Sequence, residues 1–213
     1  MRNTNKNTKT SRPRLFDVVN RDRLFALMDA SLKRPCTWVY APPGAGKTTL
    51  VASWLEERGL DGIWFQADEG DGDASSFFYY LREVAPPGDL PLPLLTPEYL
   101  LDAPAFARRW FRLLSARYDG PAVLVLDNYQ LIPTDALLHR LIDVGIDELP
   151  EHLRMVVISR EPPPPPLAHH LASRHMARLD WDALRLTQDE AEVIATHHGI
   201  IESDVVHTMY ART

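Results

Sequence analysis

Short apolar runs alternate along this chain with longer stretches in which apolar residues recur at helical spacing. The apolar runs predict five strands, at 36–40, 62–67, 122–126, 154–159 and 183–186. The third and fourth are continuously apolar, which is typical of parallel strands covered on both faces. Because strand and helix patterns alternate, we predict an α/β fold of βαβ units around a five-stranded parallel sheet.

The helical stretches carry their apolar residues on one face, and residues 47–58 are the clearest case, with Gly59 following as a stop signal. Further helices are predicted at 73–84, 106–114, 137–142 and 187–195. The proline-rich segment 85–97 predicts a loop, because each ring removes a backbone donor. The proline run at 162–166 predicts a stiffer polyproline II spacer.

The charge distribution is uneven. The net charge is −6, but the first sixteen residues carry five basic side chains and no acid, which leaves the rest of the chain at −11. An acidic body repels phosphate backbones, so only the tail is a candidate for nucleic-acid contact. The Asn and Thr content of the tail instead favours a solvated, disordered segment. We therefore predict no direct nucleic-acid binding by this segment.

Membrane insertion and export are not predicted. No apolar run reaches the roughly 18–20 residues of a membrane-spanning helix, and the N-terminus has no apolar signal region. The single cysteine, Cys36, excludes an internal disulfide and a cysteine-cluster zinc site, and its apolar neighbours place it in the predicted core. We expect a cytoplasmic protein.

The strongest chemical signal is a glycine-rich loop between the first predicted strand and the first predicted helix. It has the order of a P-loop, except that Ala41 stands where the strict motif has glycine. The backbone N–H groups of such a loop converge on phosphate oxygens, its lysine reaches the β- and γ-phosphates, and its hydroxyl binds Mg²⁺. We predict that ATP or ADP is bound by Pro43, Gly44, Ala45, Gly46, Lys47, Thr48 and Thr49.

The second half of a P-loop site is an acid at the end of another apolar strand, and Asp127 follows the run 122–126. Together with Thr48 it is predicted to hold Mg²⁺. The next residue is Asn128, whose amide orients a water molecule but cannot accept its proton, so fast hydrolysis is not expected. The acids that follow the second strand either compensate for it or form an acidic solvated loop; they are Asp68, Glu69 and Asp71.

Arg160 directly follows the fourth predicted strand. Nucleotides lie outside the carboxyl ends of strands in open α/β sheets, so its guanidinium can sense the γ-phosphate; a surface salt bridge is the alternative. We predict that Lys47, Asp127 and Arg160 are the groups that act on the nucleotide. The adjacent pairs His169–His170 and His197–His198 do not predict a metal site, because neighbours on a helix point to different faces.

Taken together, these residues resemble the nucleotide-binding region of the signal-transducing STAND ATPases. The resemblance is to the large bacterial regulators that are similar to the maltose-operon activator and often carry a LuxR-type DNA-binding domain. It covers nearly all of residues 14–195, through matching stretches at 21–24, 41–49, 64–71, 124–132, 156–160 and 184–191.

The resemblance implies a P-loop NTPase three-layer sandwich of the additional-strand type, in which the fourth strand inserts beside the first and brings Arg160 next to Lys47. It also implies a nucleotide-binding role for Arg21, and sensor and DNA-binding domains that follow in a longer parent protein. On this basis we divide the chain into a basic disordered tail at 1–14, a nucleotide-binding domain at 15–161, a polyproline spacer at 162–166, and the last strand with the start of a truncated helical or winged lid at 167–213.

The function predicted from these features is an ATP/ADP-dependent regulatory switch with slow or absent hydrolysis. The family usually has an acid and then a histidine near the magnesium aspartate, where this chain has Asn128 and Gln130. Hydrolysis is therefore not implied by the resemblance. Two alternatives stay open, a catalytically active P-loop ATPase or small-molecule kinase, and an interaction module that has lost nucleotide binding.

Overall fold

The computed structural model describes residues 8–199 and Tyr210, so residues 1–7 of the predicted tail and most of 200–213 in the predicted lid lie outside it. The strands are β1 (Cys36–Tyr40), β2 (Asp61–Gln66), β3 (Ala122–Asp127), β4 (Leu153–Ser159) and β5 (Met176–Leu179). The helices are α1 (Asp22–Ser31), α2 (Lys47–Glu57), α3 (Ala74–Val84), α4 (Ala103–Ser115), α5 (Leu137–Glu148), α6 (Pro165–Ala172), α7 (Trp181–Leu184) and α8 (Gln188–His197).

The strands form one parallel sheet in the order β2-β3-β4-β1-β5. β4 lies between β3 and β1, with Val156 opposite Thr37 in the register. Parallel neighbours need a crossover connection, and the helices provide these crossovers. Insertion of β4 beside β1 is the additional-strand order, so the predicted fold class is confirmed.

The sheet is covered on both faces, as the continuously apolar strands predict. In β3, Leu124 and Leu126 pack with α3, α4 and α5, whereas Val123 and Val125 pack with α1 and α2. Successive side chains of a strand point to opposite faces. When both faces are covered, every side chain is buried, and the strand is apolar throughout instead of alternating between apolar and polar residues. The result is a three-layer sandwich, in which Cys36 is fully buried as predicted.

All five predicted helices are confirmed, as α2, α3, α4, α5 and α8, and three of them begin at a side-chain cap. Asp73 accepts a hydrogen bond from the Ser75 N–H (3.0 Å) at the start of α3. At α8, Thr187 and Glu190 exchange both bonds of a capping box, at 3.2 and 3.0 Å. These bonds join residues two or three positions apart, which is why the sequence pattern alone finds them.

The fifth strand was predicted at the wrong place. It is Met176–Leu179, paired with β1, and residues 183–186 instead contain the end of α7 and the turn after it. Asp180 ends the strand, because its side chain caps α7 by accepting from the Ala183 N–H (3.3 Å). Only Met176 and Leu179 of β5 are buried, so this edge strand lacks the apolar run that marks the others.

The proline run opens a helix. Pro165 and Pro166 occupy the first turn of α6, where the missing N–H costs no intrahelical bond. α6 connects β4 to β5 within the same sheet, so the spacer expected at 162–166 does not separate the sheet from its last strand. Across the described residues, none of the helices combines the length and hydropathy that spanning a bilayer requires.

The described part of the basic tail is folded against the sheet domain. A 3₁₀ turn at Thr8–Thr10 places the Lys9 ammonium 2.9 Å from Asp68 and 2.7 Å from Asp71, which is fully buried. The disorder predicted for 1–14 is therefore wrong for this turn. Asp68 and Asp71 are both ion-paired with Lys9, and neither lines the cavity at the carboxyl edge of the sheet, so they are not placed to compensate for Asn128.

Candidate functional site

Three chain segments converge at the carboxyl edge of the sheet, because parallel strands end on the same side. The glycine-rich loop follows β1, Asp127 ends β3, and Arg160 follows β4. They surround a cavity of about 340 Å³. Its walls are formed by Pro43, Gly44, Gly46, Lys47, Thr48, Thr49, Asp127, Asn128, Gln130, Ile158 and Arg160.

The glycines of the loop are required by its backbone. Gly44 and Gly46 have φ of +80° and +75°, a left-handed conformation that other residues rarely adopt. A Cβ at either position meets no atom within 4 Å, so the space in front of the loop is open. α2 begins at Lys47 without a side-chain cap, which leaves its first N–H groups available to an anion.

Lys47 is buried at the floor of the cavity, with 9% of its surface exposed. Its ammonium donates to the carbonyls of Ala41 (2.7 Å) and Pro42 (2.9 Å), and one of its three donors remains for a further partner. Burial lowers the pKa of Lys47, and the nearby charge of Arg160 lowers it further, while Asp127 partly offsets both. Two cations therefore lie near one acid.

Asp127 is 1% exposed and accepts hydrogen bonds from the Asn128 N–H (2.8 Å) and from the Thr48 hydroxyl (3.2 and 3.3 Å). Burial raises the pKa of Asp127, and these two bonds with the charge of Lys47 offset part of the rise. Neighbouring oxygens around an octahedral Mg²⁺ lie about 2.9 Å apart, given bonds of about 2.0–2.1 Å. The Thr48 and Asp127 oxygens thus suit Mg²⁺.

A hydrogen bond fixes the backbone of Arg160, whose N–H donates to the Gln130 Oε1 (3.0 Å). Its exposed guanidinium has no ion-pair partner among the described residues, so the surface salt bridge considered from the sequence is not formed there. From the sequence, Gln130 is only a departure from the family pattern. The sequence does not predict its hydrogen bond with the Arg160 N–H. Asn128 lines the cavity, and Asp127 is the one acid among its described walls.

A second cavity, of about 500 Å³, also borders the glycine-rich loop and shares four of its lining residues with the first. This is the size of ordinary small-molecule sites. Its apolar walls come from α1, from α2 and from the segment 181–198. They include Ala45, Phe25, Leu50, Trp181, Leu184, Leu186, Ile194 and His198. Apart from the matches at 21–24 and 184–191, nothing in the sequence pattern indicates this cavity.

Arg21 lines the second cavity, but its guanidinium is bonded to the C-terminal segment. It donates to the carbonyls of Leu184 and Arg185, both at 2.9 Å, and to Glu190 at 2.8 Å. The side chain is 14% exposed. Arg21 therefore joins the start of α1 to the start of α8 and forms part of the cavity wall.

The comparisons with known proteins agree with this geometry. The chain is 31% identical over 197 residues to the HTH-type transcriptional regulator MalT of Yersinia pestis, and 31% identical over 192 residues to MalT of Yersinia enterocolitica; each match covers 87% of this chain and 21% of the relative. The chain is homologous to a segment of MalT. The resemblance to MalT-like regulators stated from the sequence is thus confirmed.

The chain spans about a fifth of the length of the MalT proteins it matches. The match leaves at most about 28 of the 213 residues uncovered, so it must include Lys47, Asp127 and Arg160. No protein-family model matches the chain. Among solved structures, the Orc1 protein of Aeropyrum pernix in complex with DNA aligns with a TM-score of 0.54 at 17% identity, covering 92% of this chain and 55% of that one, which supports the fold.

The pH dependence of folding stability should show how much the contacts of Glu190 with Arg21 and Arg23 stabilise the fold. Burial alone would raise the pKa of Glu190, but hydrogen bonds from Arg21, Arg23 and the Thr187 N–H lower it to about 2. A lowered folded-state pKa stabilises the fold above the ordinary value near 4.5, and that stabilisation is lost as the pH falls towards 2. We expect Glu190→Gln to reduce stability at pH 7 and to flatten the pH dependence between about 4.5 and 2.

The measurement is the urea midpoint of wild-type and variant proteins across that pH range. Glu192→Gln, an exposed position on the same helix, is the matched control and should follow the wild type. If Glu190→Gln and the control have the same pH profile, the arginine contacts do not stabilise the fold.

Proposed function

We propose that this chain is the ATP- and ADP-binding module of a longer transcriptional regulator, in which it acts as a slow conformational switch. The observation that carries the proposal is the surplus of positive charge at one cavity. Lys47, Arg160 and the uncapped start of α2 surround a space whose one described acid is Asp127. Such a site stabilises an anion of high charge.

The triphosphate is the part of ATP that suits this cavity. The backbone N–H groups at the uncapped start of α2 are available to the phosphates, and Lys47 and Arg160 add two positive charges. Thr48 and Asp127 would hold Mg²⁺, which neutralises phosphate charge when bound. A diphosphate lacks the group that reaches Arg160, so this residue is the one proposed to distinguish ATP from ADP.

The nucleoside is proposed to occupy the second, more apolar cavity. The two cavities share Pro43, Gly44, Gly46 and Thr49, so one ligand can fill both across the loop. Part of the second wall belongs to the segment 181–198, which Arg21 holds through Glu190. We therefore assign Arg21 a positioning role in the wall. A nucleotide that contacts this wall biases the position of whatever follows it in the chain.

We propose that hydrolysis is slow because the described walls of the cavity contain no acid that is free to act as a general base. An attacking water must give up a proton, and a general base within hydrogen-bond reach speeds this step. Asn128 is an amide and cannot accept the proton, while Asp127 is committed to Thr48 and the Asn128 N–H. Asp68 and Asp71 are paired with Lys9. This set of groups supports binding and sensing more than rapid turnover.

The output is proposed to lie in other parts of the parent protein. The MalT relatives are named as HTH-type transcriptional regulators, and this chain matches about a fifth of their length. We propose that DNA binding and signal sensing belong to those other parts. The net charge of −6 supports the view that this segment makes no direct nucleic-acid contact.

The test measures the affinity of wild type and Arg160→Ala for MgATP and MgADP by calorimetry. A charged hydrogen bond contributes about 1.5–3 kcal/mol, so the variant should lose roughly 10- to 100-fold in ATP affinity and little for ADP. Arg140→Ala, at an exposed position on α5, is the control and should bind both as the wild type does. An equal loss for ATP and ADP would contradict the sensing role.

Phosphate release by the wild-type protein separates the switch from a working enzyme. We expect turnover far below the ~1–100 per second of kinases. Turnover in that range would favour an active ATPase or kinase instead. Failure of the wild type to bind either nucleotide would leave an interaction module without nucleotide binding.

A further inference from the structure

A cluster of three histidines and two aspartates lies at the edge of the sheet opposite the glycine-rich loop. Asp143 and Asp147 are four residues apart on α5 and so share a face. His169 and His170 belong to the last turn of α6, and His175 immediately precedes β5. The sequence argument against a metal site considered adjacent histidines alone, whereas the fold adds ligands from two other segments.

A sharp turn brings His175 back to α6. Arg174 has φ of +61°, a left-handed conformation that reverses the chain after the helix ends. The His170 and His175 rings then lie 6.1 Å apart, with their planes inclined by 25°. This arrangement depends on the turn and on the packing of α5 against α6.

The two ring nitrogens of His170 face different acids, Nε2 towards Asp143 and Nδ1 towards Asp147. Its side chain is 1% exposed, and its Nε2 lies 2.8 Å from the Asp143 Oδ1. The carboxylate accepts only a protonated nitrogen, so the neutral ring carries its proton on Nε2 and a lone pair on Nδ1. Nδ1 is buried without a hydrogen-bond partner in the described part of the chain, 3.8 Å from the Asp147 Oδ1. A buried lone pair facing a carboxylate is unfavourable unless a proton or a metal ion lies between them.

The geometry points to a Zn²⁺ site formed by Asp147, His170 and His175. One donor atom of each lies within 4.8 Å of the others, and the His175 Nδ1 is 3.3 Å from the Asp147 Oδ1. Ligands of a tetrahedral zinc with bonds of about 2.0–2.1 Å are about 3.3–3.4 Å apart, so small side-chain movements suffice. Asp147 and His175 are each about half exposed, which leaves a path for the ion and a fourth position for water.

Asp143 fits a supporting role in this site. A carboxylate that holds the far nitrogen of a metal-bound histidine fixes the ring and raises its basicity. The alternative set of Asp143, His169 and His170 fits less well, because its 2.8 Å contact is too short for two ligands of one zinc ion. Bound zinc would connect α5, α6 and β5, and an ion that binds only the folded state stabilises it.

The experiment titrates tag-free full chain with Zn²⁺ by calorimetry, and with Co²⁺ to follow its visible absorption. We expect one ion per chain, a rise in melting temperature with zinc, and loss of both in His175→Ala and Asp147→Asn. Both residues are half exposed, so these variants should fold. Asp143→Asn should weaken binding by about 10- to 100-fold.

His169→Ala is the matched control, since it removes a neighbouring histidine outside the proposed set. It should bind zinc as the wild type does. No zinc binding by the wild type, or unchanged binding in both His175→Ala and Asp147→Asn, would overturn the proposal. Loss of binding in His169→Ala would overturn the assigned ligands in favour of the alternative set.

Discussion

Replacing Lys47 with alanine is expected to abolish the rise in melting temperature that MgATP produces in the wild-type chain. The Lys47 ammonium lies at the floor of the cavity proposed to hold the phosphates, and one of its donors is left over after its bonds to Ala41 and Pro42. Arg160 alone cannot replace it, because the Arg160 side chain is exposed whereas Lys47 is buried at the cavity floor. Without Lys47, Arg160 and Asp127 remain as one cation and one acid, so the surplus of positive side-chain charge that favours the ligand is lost.

The size of the effect follows from linkage. A ligand at ~100 times its dissociation constant stabilises the fold by about 2.7 kcal/mol, which corresponds to roughly 5–11 °C in a chain of this length. Thermal melting with and without MgATP measures it directly. Lys33→Ala, an exposed lysine away from the cavity, should keep the full shift. An undiminished shift in Lys47→Ala would refute the assignment of the site.

Replacing Phe78 with alanine is expected to cause the largest loss of stability. Phe78 is fully buried on α3, at the centre of an edge-to-face aromatic cluster. Its ring centroid lies 4.9–6.3 Å from those of Phe77, Phe106, Trp110 and Phe111. Truncation of a buried Phe to Ala costs about 3–5 kcal/mol, because it removes apolar burial and leaves a cavity.

Chemical denaturation measures the loss as a lower free energy of unfolding. Tyr79→Ala is the matched control, since Tyr79 follows Phe78 on the same helix and is 48% exposed. It should change stability by less than about 1 kcal/mol. Equal losses in the two variants would mean that the lower free energy of unfolding comes from any alanine substitution in α3, and not from loss of packing in the aromatic cluster.

The proposed nucleotide site could be located from the sequence because its parts follow strands that the sequence identifies. Lys47, Asp127 and Arg160 each come after an apolar run, and parallel strands bring their carboxyl ends to one edge. The second cavity could not be located in this way. Its walls join α1 to the segment 181–198, and the Arg21–Glu190 contact between them spans 169 residues.

The edge strand β5 and the tail were also not predicted correctly from local sequence patterns. β5 has two buried residues and is defined by its pairing with β1, which no local period reveals. Lys9 was predicted to be in a solvated tail, but its position depends on two acids about 60 residues away. In both cases tertiary contacts outweigh a local pattern that is weak or absent.

Sequence patterns alone predict the α/β architecture, the capped helices, and the loop, aspartate and arginine that meet at the first cavity. Those features rest on hydrophobic periods, glycine conformations and hydrogen bonds between residues a few positions apart. Long-range contacts establish which segment completes the sheet, how Arg21 binds the segment 181–198, and that Asp147, His170 and His175 meet. Each of these depends on contacts between distant segments, whose free energy exists only once the sheet has brought them together.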